Sequence, residues 1–127
     1  MKAVTRQVIA LFIIMTLVII SCKPNPAEKL IKKWKPVDAT GEGVTPEVKQ
    51  DIIKDGNTME FRKDGQFISV SAGQYADTGT YKLSDDGKRV VIQSANQRQI
   101  NLNITELKAN RLIIENQGIV MVMEPLR

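Results

Sequence analysis

Ile100-Asn101-Leu102-Asn103-Ile104-Thr105 is the stretch on which the fold turns. Apolar and polar side chains alternate without a break, the period of a strand with one face in a core and the other in water. Lys108 to Asn110 then reads as a turn into a second strand, Arg111 to Glu115. Asn116-Gln117-Gly118 leads on to Ile119-Val120-Met121-Val122-Met123, which is apolar on both faces and needs a cover on its outer side.

The same period runs backward from Ile100. Arg89 to Gln93 is a strand, reached through the turn Ser84-Asp85-Asp86-Gly87 from Thr78 to Leu83, where Tyr81 and Leu83 share a face. Ser94 to Gln97 and Gly73 to Asp77 read as loops, and Gln66 to Ala72 as a further strand. Met59 and Phe61 alternate with Thr58, Glu60 and Arg62, and Lys63-Asp64-Gly65 turns that strand into the next. A two-residue turn there pairs Phe61 with Ile68. A three-residue turn with a bulge at Gly65 pairs it with Phe67, and Asp-Gly at its end favours the bulge.

Ahead of this meander, Leu30, Ile31, Trp34 and Val37 stand among lysines. Lys33 to Val37 reads as a strand that a helical turn can precede, with Pro36 arguing for an edge or a strand end. Asp38 to Val44 reads as a loop. Thr45-Pro46-Glu47 is a helix start: a capping hydroxyl, proline at the first position and an acid in the first turn. Val48 and Ile52 lie on one face of that helix, and Asp55-Gly56 ends it. The helix has two possible seats. It can cap an open mouth through Val48 and Ile52, or lie on the outer face of Ile119 to Met123, which the doubly apolar strand favours slightly.

Eight short strands joined by hairpins, with no helix between successive members of the meander, predict an all-β fold: an antiparallel up-and-down eight-stranded barrel with one short helix. Phe61, Tyr81, Leu102, Ile104, Ile114 and Val122 are expected to point inward. Eight strands enclose either packed side chains or one small ligand.

The amino-terminal stretch has a different grammar. Lys2 and Arg6 precede an apolar run from Val8 to Ile20, too short to span a bilayer with ease, and Ser21-Cys22 ends it. Ile19-Ile20-Ser21-Cys22 resembles the lipobox of bacterial lipoproteins. That resemblance implies a signal peptide over residues 1–21, a lipid on the Cys22 thiol and membrane anchorage in the bacterial envelope, in the outer membrane facing the periplasm. A lone cysteine elsewhere would read as a buried thiol; its place at the end of the apolar run argues for acylation. Residues 22–29, with two prolines and no periodicity, read as a tether, and residues 30–127 as the barrel. Lys23, Lys29, Lys32, Lys33 and Lys35 read as a solvated face sooner than a lipid-headgroup contact.

Leu30 to Trp34, Met59-Glu60-Phe61 with Asp64-Gly65-Gln66-Phe67, Gly79-Thr80-Tyr81 with Leu83, and Leu107 with Asn110-Arg111-Leu112 together resemble the small lipocalin-like lipoproteins of Gram-negative bacteria. In lipocalins the first strand carries Gly-x-Trp, whose tryptophan closes the bottom of the barrel. Here Trp34 holds that place, with Lys32 at the glycine position. The resemblance implies a small apolar ligand.

Composition argues against several other roles. There is no histidine, which removes the commonest general base and metal ligand, and the one cysteine is assigned to lipid. Lys2 and Arg6 supply half of the net charge of +4, so the remainder is nearly neutral and gives no case for nucleic acid. Lys54-Asp55-Gly56, Lys63-Asp64-Gly65 and Asp86-Gly87-Lys88 lack the further oxygens of a calcium loop and read as turns. Glu60 and Glu106 fall on polar faces, not in a catalytic pair. No enzyme, metal or cofactor is expected. Met59, Phe61, Phe67 and Tyr81 are the candidates for a cavity wall, with core packing as their plainer role. The rival to a ligand-binding barrel is an envelope interaction protein with a filled barrel. A void of a few hundred Å³ separates the two.

Overall fold

Wherever the period is two the chain forms strands, and eight of them close into a barrel in strict chain order. The computed structural model describes residues 25–127, so the expectations for residues 1–21 and Cys22 lie outside it. The strands are β1 (Lys33–Gly41), β2 (Thr58–Phe61), β3 (Gln66–Ser71), β4 (Gln74–Leu83), β5 (Arg89–Ser94), β6 (Gln99–Lys108), β7 (Arg111–Asn116) and β8 (Ile119–Pro125). All neighbours are antiparallel, and β8 returns to β1, so closure removes the exposed edges. Helix α1 (Pro26–Leu30) precedes β1, and α2 (Pro46–Ile53) lies between β1 and β2.

Local chemistry sets the register. Phe61 pairs with Phe67, as the bulged turn requires. The Arg62 amide donates to the Gln66 carbonyl at 2.9 Å, and Gly65 sits at φ +88°, where a side chain would be strained. Gly79 has a different need: a Cβ there would lie 2.0 Å from the Gln93 carbonyl oxygen of β5. Any larger residue would push these two strands apart.

The meander gives the barrel two unlike ends. One gathers α1 and the turns after β2, β4 and β6; the other gathers α2 and the turns after β3, β5 and β7. The first end is shut. Trp34 and Leu30 are fully buried there, and the Trp34 Nε1–H donates to the Leu30 carbonyl at 3.0 Å. Lys32 lies over the outer side of the indole, 5.1 Å from the ring centre, and donates to the Ala109 carbonyl at 2.7 Å. Helix α1 occupies the second half of the stretch read as tether. Asn25 caps it, accepting from the Ala27 amide at 3.1 Å, and Pro26 starts it.

Strand β1 runs on to Gly41 through residues read as loop, and Pro36 lies in its middle, not at an edge. Backbone direction accounts for this. The Lys32 carbonyl accepts from Phe61 of β2, while the Lys33 carbonyl accepts from Leu126 beside β8. Alternation then aims the bare Pro36 nitrogen toward β2. The β1–β2 ladder has already ended at Trp34–Met59, so no hydrogen bond is lost. A bulge between Pro36 and Asp38 restores the ladder to β8.

Phe61, Leu102, Ile104 and Ile114 are buried, and Tyr81 packs against them. Val122 does not point inward. It pairs with Ile113 on the outer wall, whereas Met121 pairs with Ile114 and Met123 with Leu112 on the inner one. An all-apolar run carries no phase of its own, and the ladder to β7 supplies it. Strand β4 begins at Gln74, inside the expected loop, after a register shift between Ser69 and Val70 of β3.

Candidate binding cleft

Both ends of the β1–β2 connection lie at the mouth, so α2 crosses it and does not lie on the outer face of β8. Thr45 caps the helix, its Oγ1 accepting from the Val48 amide at 3.2 Å. Only one of the two expected apolar contacts faces inward. Ile52 reaches over the barrel interior, while Val48 is 38% exposed.

Asn57 holds the far end of α2. Its Nδ2 donates to the carbonyls of Asp51 at 2.7 Å and Ile52 at 2.9 Å, satisfying two groups that a helix end leaves free. Its Oδ1 accepts from the Ala72 amide at 2.6 Å, and the Gly73 amide donates to the Gly56 carbonyl. One side chain thus ties the helix to the β3–β4 turn. Two ion pairs brace the same connection, Lys49–Asp38 at 2.8 Å and Lys35–Asp55 at 3.0 Å. The Lys49 contact and the Ala39 amide hold the Asp38 carboxyl below its ordinary range.

Beneath α2, where β1 and β2 part, lies a cleft of about 300 Å³. Met59 and Met121 line it with Ile52, Pro36 and Val70, and Met123, fully buried, lies beneath as its floor. Its rim is polar: Asn57, Thr58, Ser69 and Ser71, with Asp51 from the helix. A smaller pocket of about 160 Å³ lies alongside, among Leu102, Ile114, Asn116 and Ile119, and shares Ile52 and Met121 with the cleft. Those two side chains form the partition. Next to the rim, Ser94 is buried and donates to the Asp77 carboxylate at 2.8 Å.

Of the residues expected to line a cavity, only Met59 lines this cleft. Phe61, Phe67 and Tyr81 gather into a cluster of their own, with ring centres 5.3 Å (Phe61–Phe67) and 5.0 Å (Phe61–Tyr81) apart, the latter pair edge-on. The Tyr81 hydroxyl donates to the Arg62 carbonyl at 2.7 Å, and burial pushes its pKa up. These rings fill the shut half, and none lines the cleft or its neighbour. Met121, Met123 and Asn57 have no place in the expected site, and Ile52 enters it only through the seat in which the helix caps the mouth. A signal for the first two existed: every methionine after Met15 lines this one cleft.

Among the described residues, no group of three or more Cys, His, Asp or Glu is placed to hold a metal ion, and no helix is long and apolar enough to cross a membrane.

Residues 30–114 match the model of a family described as lipocalin-like domain. Among solved structures, a lipocalin-like protein from Bacteroides uniformis ATCC 8492 superposes with a TM-score of 0.61 at 18% identity, over 77% of this chain and 99% of that one. An uncharacterized protein from Bacteroides eggerthii DSM 20697 gives 0.61 at 16% identity, over 76% and 99%. At such identities the likeness speaks for the fold. No curated protein matches the chain.

Proposed function

Because the chain belongs to the lipocalin-like domain family, we propose that it is a non-enzymatic binding protein that holds a small apolar ligand beneath α2. The observation that carries this reading is the methionine-lined cleft of about 300 Å³. Its volume stands at the lower end of the ~300–1,000 Å³ usual for small-molecule sites, and it has the usual build of an apolar wall with a few polar groups at the rim. Methionine thioethers are flexible and polarisable, and they suit a site that adapts to its ligand. A filled barrel acting only as an interaction protein would have no use for such a cleft. Native mass spectrometry of protein taken from its own host tests the reading. A co-purified small molecule is the expected result, and one lost from a Met59→Trp variant places it in the cleft. Repeated recovery of ligand-free protein from the host, together with no uptake of apolar probes, would overturn it.

We further propose that a lipid on Cys22 carries the barrel at the bacterial outer membrane, facing the periplasm. The lipobox-like Ile19-Ile20-Ser21-Cys22 supports this. So does the position of Asn25 at the shut end of the barrel, which leaves the mouth clear of a chain anchored a few residues earlier. Cys22→Ser should abolish acylation and move the protein out of the membrane fraction. A variant that is cut normally yet stays membrane-bound after a high-salt wash would refute the anchor.

A further inference from the structure

We infer that the cleft selects neutral or cationic amphipathic molecules and rejects carboxylates and other anions. This rests on the binding reading above and adds the chemical class of the ligand.

Charge at the rim carries the argument. No lysine or arginine lines the cleft or the adjoining pocket. The charged residue that does line the cleft is Asp51. A second carboxylate stands close by: Asp77 is the direct cross-strand partner of Ser69, and paired residues share a face of the sheet. Ser69 lines the cleft, so Asp77 sits beside it on the inward side, part-buried and bonded to Ser94.

Of the nearby lysines, Lys49 is paired with Asp38 and Lys35 with Asp55, and Lys54, at the end of α2, is not among the residues that line the cleft. The strongest neutral donor at the rim is engaged as well, since the Asn57 amide gives its hydrogens to the Asp51 and Ile52 carbonyls. An anionic head group would therefore give up its water and meet two carboxylates without a cation to receive it. A hydroxyl or amide head keeps partners in Ser69, Ser71 and Thr58, and an ammonium is attracted by Asp51 and Asp77. Below the rim, the half-buried thioethers of Met59 and Met121, with Met123 packed beneath them, accept an apolar tail whatever the head.

Three probes with one tail and different heads decide the matter: octanoate and octyltrimethylammonium below their micelle concentrations, and octanol below its solubility limit. Every strand that closes the barrel lies between Lys33 and Pro125, and α1 starts at Pro26, so residues 23–127 contain the whole closed sheet and its plug. Residues 23–127 are therefore titrated directly. Methionine methyl groups labelled with carbon-13 report from Met59, Met121 and Met123. Saturable shifts with octanol and octyltrimethylammonium are expected, with octanoate at least tenfold weaker than octanol. Asp51→Lys leaves the Asn57 bond to the Asp51 backbone intact and should narrow that gap at least threefold. Octanoate binding as tightly as octanol, or a gap unchanged in Asp51→Lys, overturns the inference and leaves the binding reading standing. Silence of all three methyl groups toward all three probes overturns the binding reading and the inference with it.

Discussion

The two ends of this barrel are built from different materials. The shut end is aromatic and rigid: Trp34, Phe61, Phe67 and Tyr81 interlock, with Leu30 beneath them and hydrogen bonds from both polar tips to backbone carbonyls. The mouth is aliphatic and adaptable: three methionines and Ile52 under a helix held by one asparagine and two ion pairs. Stiff side chains in fixed geometry fill space and set the fold. Flexible ones leave space that a ligand can shape. Stability should therefore be concentrated at one end and binding at the other.

The largest effect expected is at Trp34. Trp34→Ala removes a fully buried indole and its bond to Leu30, and should cost ~3–5 kcal/mol in urea unfolding. A cost below ~1 kcal/mol would mean that the shut end does not hold the barrel together.

Asn57→Ala should come next, at ~1–3 kcal/mol, because two helix carbonyls and the Ala72 amide lose their partner together. Its distinguishing mark is kinetic. A bound apolar probe should leave faster, and hydrogen exchange should rise at Ala72 while the amides of β6 and β7 stay protected. Uniform loss of protection would make Asn57 part of the global fold and erase the contrast between the ends.

Met121→Leu should be milder still. A volume-conserving change usually costs less than ~1.5 kcal/mol, so the melt should barely move while probe affinity changes. Unchanged affinity would remove Met121 from the site.

The smallest effect concerns pH. The folded-state pKa of Asp38 is lowered, first by the hydrogen bond from Lys49 and then by the Ala39 amide. A depressed carboxyl pKa contributes stability that is present above the unfolded value of about 3.9 and is lost as pH falls through the folded one. The brace between α2 and β1 should thus hold at neutral pH and loosen only in acid. NMR titration of the Asp38 carboxyl should show a midpoint below the ordinary range, and Lys49→Met should raise it. A midpoint indifferent to Lys49 would remove this brace from the account.

Much of the architecture was legible in the residues alone. Strict alternation, as in Ile100 to Thr105, names a strand whatever surrounds it, because side-chain direction in an extended chain has a period of two. Turns with glycine where φ must be positive fix hairpins locally, and Asp64-Gly65 sufficed to select the Phe61–Phe67 register. Helix caps are equally local, so Thr45-Pro46 announced α2. The match to the lipocalin-like family was legible in those short motifs as well.

Other features required partners distant in sequence. Ile119 to Met123 is apolar on both faces, so only its pairing with β7 could turn Met121 and Met123 inward and Val122 out. Pro36 could enter a strand only because β2 stops pairing just before it, and the gap so made is the side of the cleft. Asn57 became a latch only when the β3–β4 turn came within reach. Phe61, Phe67 and Tyr81 read as core first and as cavity wall second, and only closure of the barrel gathered them at the shut end. A single residue carries its own preference for strand, turn or cap. Which cavity it faces is decided by closure, which brings β8 to β1 and leaves empty whatever the side chains cannot fill.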